Sequence, residues 1–318
     1  MDNLNARVVS RLGQAGSVFG LALPECMSKH GGIKVVSADM SRPAGLDRFK
    51  NQYPNDFYNT GIAEQNMLGV AAGLASEGYT TVVEAQACFL SMRSFEQVRQ
   101  YMGYMQFPIV CVGINTGFSL TFFGNSHYAI EDMAIMRAIP NVTVLSASDA
   151  SMAVTLFEKA LDLHAPVYLR LAGGLNTPIV YQSQPEVAIG GSNVLREGKD
   201  VVLLATGSMV HNALQAAELL SQHGVEAKVV DMYSIKPIDK EQIANATKTK
   251  LIVTIEEHNV VGGLGGAVAE VLSEISSNTK LLRLGVSDQY STVGDYAYLL
   301  AQYRLSPELI AEDVLKNL

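Results

Sequence analysis

The stretch that most constrains this chain covers residues 59–75, Asn-Thr-Gly-Ile-Ala-Glu-Gln-Asn-Met-Leu-Gly-Val-Ala-Ala-Gly-Leu-Ala. Asn59, Thr60 and Gly61 are start signals for a helix, and after Asn66 nearly every side chain is apolar or small, so the sequence predicts a helix buried on all sides. Glu64 brings a carboxylate into its first turn. The helix dipole favours negative charge there by roughly 0.3–1 kcal/mol, against several kcal/mol for burying an ionised carboxylate alone. Glu64 therefore needs a partner or a proton, unless it bends back to water as an ordinary N-terminal helix glutamate, which the spacing leaves open.

A chain of 318 residues suggests two domains on a prior of about 150 residues each, and a hydrophobic fraction of 48% excludes wholesale disorder. The net charge of −8, with no basic run, argues against nucleic acid, whose binding rests on Lys and Arg contacts to phosphates. The N-terminus lacks the pattern of a signal peptide, and no apolar run is long enough to span a bilayer, so a cytoplasmic protein with no membrane partner is expected. Cys26, Cys88 and Cys111 are widely spaced and odd in number, which indicates neither disulfides nor a zinc site.

Residues 7–30 read as helical and 33–37 as a short buried strand, which puts Asp39 at a strand's carboxyl end, where open parallel sheets face their ligand crevice. A solvated loop aspartate is the alternative. The polar segment 41–56, interrupted by Pro43 and Pro54, is expected to be a surface connection. Strands at 80–84 and 108–112 flank a helix at 89–105, an α/β alternation. Residues 115–128 have no clear period and read as a loop over a site, ending at His127. A helix beginning near Ala129, a strand at 142–145, a helix at 149–163 and a strand at 167–171 complete the first unit. A second unit begins near Asp200, with strands at 201–205, 227–231, 251–255 and 280–284 and helices at about 209–223, 239–248 and 264–276. The run Gly262-Gly263-Leu264-Gly265-Gly266 lacks the Lys-Ser/Thr of a phosphate loop and reads as a tight strand-to-helix turn.

The string Gly-Ile-Ala-Glu-Gln-Asn-Met at 61–67, followed by Gly69, Ala71, Ala72 and Gly73, resembles the pyrimidine-binding segment of the transketolase and deoxyxylulose-phosphate synthase family. Phe-Glu-Gln-Val-Arg at 95–99, Ile-Pro-Asn-Val at 139–142, Ala-Ser-Asp at 147–149, Lys236-Pro237-Ile238, and Glu256-Glu257-His258 with Gly262-Gly263 are similar to further family landmarks. The resemblance implies an α/β chain: a pyrimidine-binding thiamine-diphosphate fold with a parallel sheet over residues 1–180, a linker over 181–198, and a smaller α/β transketolase C-terminal domain over 199–318. It also implies that Glu64 binds a ring nitrogen of the aminopyrimidine of thiamine diphosphate, favouring the tautomer whose nitrogen removes the thiazolium proton. A buried acid that shares a proton suits that task, since burial raises a carboxyl pKa by up to ~3–5 units. Asp39 and Ile62 are carried over as cofactor-binding positions and His127 as a second catalytic residue. Phe89 is expected to stack on the pyrimidine, with Leu90 as the fallback one residue on, and Phe95 to pack nearby.

The family holds the diphosphate and its magnesium through a Gly-Asp-Gly motif on an N-terminal domain, and nothing in this sequence matches it. The resemblance therefore implies a split enzyme: a partner subunit supplies that domain and binds most of the Mg2+, in an α2β2 heterotetramer, and no metal set is expected on this chain. Where family members hold a substrate phosphate with two arginines and a serine, this sequence has approximately Gly16, Gly173 and Pro43, with Arg42 and Arg170 near enough to compensate. Phe123 stands where an aspartate reads a substrate hydroxyl, so a more apolar site is expected. The leading expectation is a transketolase-like transferase moving a two-carbon ketol unit between small carbonyl substrates. A deoxyxylulose-phosphate-synthase-like carboligase subunit and a noncatalytic regulatory subunit are the alternatives.

Overall fold

The computed structural model describes residues 5–318; Met1–Leu4, part of the N-terminus read above, lie outside the described residues. Two sheets organise the chain. The first contains β1 (Lys34–Ser37), β2 (Phe57–Asn59), β3 (Thr81–Gln86), β4 (Ile109–Thr116), β5 (Thr143–Ser146) and β6 (Val167–Ala172). The second contains β7 (Asn193–Arg196), β8 (Val201–Ala205) and β9 (Ala227–Asp231); β10 (Ser234–Lys236) returns to the first, and β11 (Leu251–Asn259) and β12 (Lys280–Val286) complete the second. The orders are β10-β5-β6-β4-β3-β1-β2 and β12-β11-β8-β9-β7. All pairs are parallel except the edge pairs β10 with β5 and β7 with β9.

A parallel sheet buried on both faces needs apolar residues at successive positions, and β1 and β3 supply them. Val35 and Val82 pack with Phe19, Leu23 and Phe157 under the N-terminal helices and the Ala150–Asp162 helix. Val36 and Val83 pack on the other face with Met67, Leu68 and Ala71 of the Glu64–Ser76 helix. That second core runs on into Val202, Leu204, Val230 and Ile252, so both sheets share it. Cys26, Cys88 and Cys111 are free and buried.

Several expectations change. The Glu64–Ser76 helix starts at Glu64 rather than Asn59, and it is not buried all round: Gln65, Asn66 and Gly73 are exposed. Polar and glycine positions at 65, 69 and 73 fall four apart on one face, a spacing that the abundance of small residues hid. The segment 41–56 is not a plain surface connection: Ser41–Ala44 and Asp47–Gln52 are short helices anchored by buried Ala44, Leu46 and Phe49. Residues 89–105 form a broken helical run, Phe89–Arg93, Phe95–Gln97 and Val98–Tyr104. The 115–128 stretch begins as strand, because β4 continues to Thr116, and holds the short helical segment Thr121–Ser126. Two C-terminal helices, Tyr296–Gln302 and Pro307–Asn317, go beyond the elements expected from the sequence. The glycines at 262–266 do form a strand-to-helix turn, where both oxygens of buried Glu256 accept from the nitrogens of Leu264 and Gly265 at 2.6 and 2.7 Å. Burial pushes the Glu256 carboxyl up to about 7 against those bonds.

Candidate active site

Because β1, β3, β4 and β6 run parallel, the loops after their carboxyl ends gather along one edge of the first sheet. Asp39, two residues beyond β1, is exposed and left-handed at φ 62°. Its nitrogen donates to Asn59 Oδ1 at 3.1 Å, and Asn59 Nδ2 donates back to Asp39 Oδ1 at 3.1 Å. Asn59 Oδ1 also accepts from the nitrogen of Gly61 at 3.0 Å. One amide at the end of β2 thus ties the Asp39 turn to the loop that delivers Glu64. Below them, Ser37 Oγ donates to Glu84 Oε2 at 2.8 Å and accepts from the nitrogen of Met40 at 3.2 Å.

Glu64 is 2% exposed, and the partner its burial demands is Arg93, whose Nη1 lies 2.7 Å from Oε2. The Arg93 guanidinium lies 4.1 Å from the centroid of the Phe89 ring. Phe89 meets His127 edge-on at 5.2 Å, and His127 meets Phe123 at 4.7 Å. Ser126 Oγ lies 2.9 Å from His127 Nδ1. Glu64, Arg93, Phe89, His127 and Phe123 therefore form one continuous row from the helix start to the loop after β4. A buried carboxylate, a partly exposed aromatic face and an imidazole in sequence can hold a flat ring bearing N–H donors, since the guanidinium seated there is itself such a group.

Ile62 is 75% exposed beside this row, and Phe95 is partly buried against the core rather than facing the row. Phe122 and Phe123 are exposed at the mouth. Gly16, Pro43 and Gly173, far apart in sequence, line a single cleft of about 440 Å³ together with Arg42, Asn115 and Leu175. A side chain at 173 would run into Asn115 Oδ1 and Ser119 Cβ, so glycine there goes with asparagine at 115 and serine at 119.

Arg170 does not join this cleft. It is 3% exposed, its Nε pairs with Asp132 Oδ2 at 2.9 Å, and its Nη2 donates to the carbonyls of Glu257 at 3.0 Å and Ala129 at 3.2 Å. A guanidinium sealed into the junction of the two units in this way is not available to a substrate, and Arg170 is removed from the substrate set. Glu257 reinforces the same junction by accepting from the nitrogen of Phe118 at 2.6 Å, from Tyr296 Oη at 2.6 Å and from Ser208 Oγ. His258, its neighbour, is kept neutral by burial, which pushes its pKa down to about 4.

The family model for the transketolase pyrimidine binding domain matches residues 14–176, and that for the transketolase C-terminal domain matches residues 190–310. The chain belongs to the transketolase family. This transketolase chain is 36% identical over 302 residues to a putative transketolase C-terminal section of Methanocaldococcus jannaschii, covering 94% of this chain and 95% of that protein. It is 35% identical to a subunit of the apulose-4-phosphate transketolase of Phocaeicola vulgatus, covering 89% and 91%. A solved structure described as a split gene transketolase, inactive beta4 tetramer, superposes with a TM-score of 0.85 at 37% identity, over 95% of this chain and 97% of that one. The chain is thus a subunit of a thiamine-diphosphate-dependent transferase, and the family resemblance read from residues 61–73 extends through both sheets.

Sequence reasoning misses three residues of this candidate site. Arg93 carries no spacing signal, because it reaches Glu64 across 29 residues. Asn115 falls in the stretch that reads as an aperiodic loop, although it lies near the end of β4. Asn59 reads only as a helix start.

Proposed function

We propose that this transketolase chain is the pyrimidine-binding half of an α2β2 enzyme that transfers a two-carbon ketol unit between small carbonyl substrates. The observation that carries this reading is the buried Glu64 carboxylate beside the partly open face of Phe89. Thiamine diphosphate supplies the carbanion chemistry when bound. Glu64 would hold the ring nitrogen and share its proton, Phe89 would stack on the ring, and Asp39 and Ile62 would line its approach. His127, held by Ser126 and flanked by two aromatic rings, would donate to and orient the substrate oxygen. Among the described residues no group of three or more His, Cys, Asp or Glu side chains is placed to hold a metal ion. We assign the diphosphate and its Mg2+ to the partner subunit and the complex to the cytoplasm, with residues 1–180 and 199–318 as the bodies of the two domains; the 181–198 segment between them is more than a linker, since its β7 is an edge strand of the second sheet. Among the described residues no helix is long and apolar enough to cross a membrane.

For the substrate we favour a ketose or aldehyde without a terminal phosphate dianion. Among the described residues that line it, the cleft of Gly16, Pro43 and Gly173 has Arg42 as its single cation and Asn115 as a neutral amide, with Leu12 and Leu175 as apolar wall. Each charge-assisted bond that a phosphate lacks here weakens binding by ~1.5–3 kcal/mol.

The test is Glu64→Gln in the complex reconstituted with the partner subunit. Ketol transfer should fall by at least ~10²-fold with folding intact; near-normal turnover would reduce Glu64 to a helix-start residue. Release of carbon dioxide from pyruvate by the same complex would instead favour the carboligase reading.

A further inference from the structure

One side chain makes both contacts that the proposed cofactor ring would require. Arg93 Nη1 is 2.7 Å from Glu64 Oε2, and its guanidinium carbon is 4.1 Å from the Phe89 ring centroid. A guanidinium is flat, carries its N–H donors in its own plane and stacks on aromatic faces. An aminopyrimidine shares all three properties. We propose that Arg93 occupies the pyrimidine subsite as a placeholder, so that the cofactor ring binds only by displacing it. The inference rests on the reading of Glu64 and Phe89 given above, and it adds a competitor inside that site.

The arrangement permits exchange. The Arg93 side chain is 44% exposed while that of Glu64 is 3% exposed, so the arginine can swing outward but the carboxylate cannot follow it. While Arg93 is seated, Glu64 keeps a charged partner in a place where burial alone would oppose its ionised form. Once the ring arrives, it takes over the stacking face, and Glu64 exchanges the guanidinium N–H for a proton, taken up from solvent, that it shares with the ring nitrogen. A competing conformer lowers apparent affinity by the fraction of time it leaves the site open.

The test titrates thiamine diphosphate and magnesium calorimetrically into the complex of this chain with its partner. Arg93→Met should bind the cofactor about tenfold more tightly than wild type, the equivalent of ~1.4 kcal/mol. Arg93→Lys, which keeps the charge but loses the flat stacking group, should fall in between. Equal or weaker binding by Arg93→Met overturns the proposal, since weaker binding would make Arg93 a contact of the bound ring. Should Arg93→Met fail to assemble because Glu64 is left buried alone, Arg93→Gln keeps a donor to Glu64 without the charge and must likewise bind more tightly; unchanged or weaker binding overturns the proposal there too. Glu64→Gln in the same titration separates this inference from the functional reading. Unchanged affinity in that variant removes Glu64 from the cofactor site whatever Arg93 does, whereas weakened affinity beside an unaltered Arg93→Met fails the placeholder alone.

Discussion

Replacing Glu84 with glutamine removes the titration of a carboxyl that the first sheet encloses completely. Glu84 lies on β3, fully buried; Ser37 Oγ donates to its Oε2 at 2.8 Å, and its Oε1 has no hydrogen-bond partner. Burial pushes its pKa up to about 7 from an ordinary value of 4.5, with the Ser37 bond pulling weakly the other way. For an acid raised in this way the folded chain holds the proton between about pH 4.5 and pH 7 while the unfolded chain has released it. The folded state therefore binds more protons in that window, and stability falls as pH rises through it. The full difference corresponds to about 3 kcal/mol, an order-of-magnitude figure. Glutamine cannot ionise, so Glu84→Gln should match wild type within about 1 kcal/mol near pH 5 and be more stable by ~2–3 kcal/mol near pH 8. At roughly 2–4 °C per kcal/mol, the thermal midpoint should rise by at least ~4 °C at the higher pH. Midpoints followed by far-UV circular dichroism from about pH 5 to 8 provide the assay. A pH-independent difference between the two proteins would refute the assignment, because it would mean that Glu84 keeps one protonation state throughout. The same carboxyl supports Ser37, whose hydroxyl caps the nitrogen of Met40 and so holds the turn carrying Asp39.

Two further outcomes follow from the junction and the cleft. Arg170→Met leaves Asp132 buried without its cation and should destabilise the chain by about 3–5 kcal/mol while substrate KM in the reconstituted enzyme stays within about twofold; a KM change with no loss of stability would return Arg170 to the substrate cleft. In competition assays, xylulose 5-phosphate and fructose 6-phosphate should be poorer substrates than unphosphorylated or more apolar ketones and aldehydes, and Gly173→Arg combined with Asn115→Ala and Ser119→Gly, the two side chains a Cβ at 173 would meet, should lower KM for the sugar phosphates; wild-type turnover that clearly favours the two phosphates would sink the substrate reading.

Much of the fold is legible because each central strand of a sheet covered on both faces is written as a continuous apolar run. Val35-Val36, Val82-Val83 and Val201 to Leu204 each read as strand before any pairing is known. What stays hidden are elements defined by their partners. β10 is a three-residue strand whose reason to exist is the edge of β5, with Lys236 Nζ donating to the carbonyls of Arg137 and Ile139 on the first unit. Nothing in Ser-Ile-Lys announces that the chain crosses back there. The site divides along the same line. Asp39, Glu64 and His127 sit at strand or helix ends that local pattern locates, and a literal motif names Glu64. Arg93, Asn115 and the true place of Arg170 depend on distances that the chain sets only when folded. Arg170 is the instructive case: in the sequence it is the nearest cation to Gly173, yet its side chain in β6 pairs with Asp132 instead of entering the cleft. The cleft is reached only at the end of β6, where Ala172 and Gly173 line it, whereas Arg170 lies further back along the strand, held by Asp132 and the carbonyls of Ala129 and Glu257, so nearness in sequence does not say which cavity a side chain enters. The cleft shows the converse. Gly16, Pro43 and Gly173 lie far apart along the chain, yet they share one wall because the N-terminal helix, the turn after β1 and the end of β6 meet at the carboxyl edge of a parallel sheet. Positions named as lost phosphate contacts thus form one surface, and placing a side chain at 173 on it requires altering Asn115 and Ser119 as well.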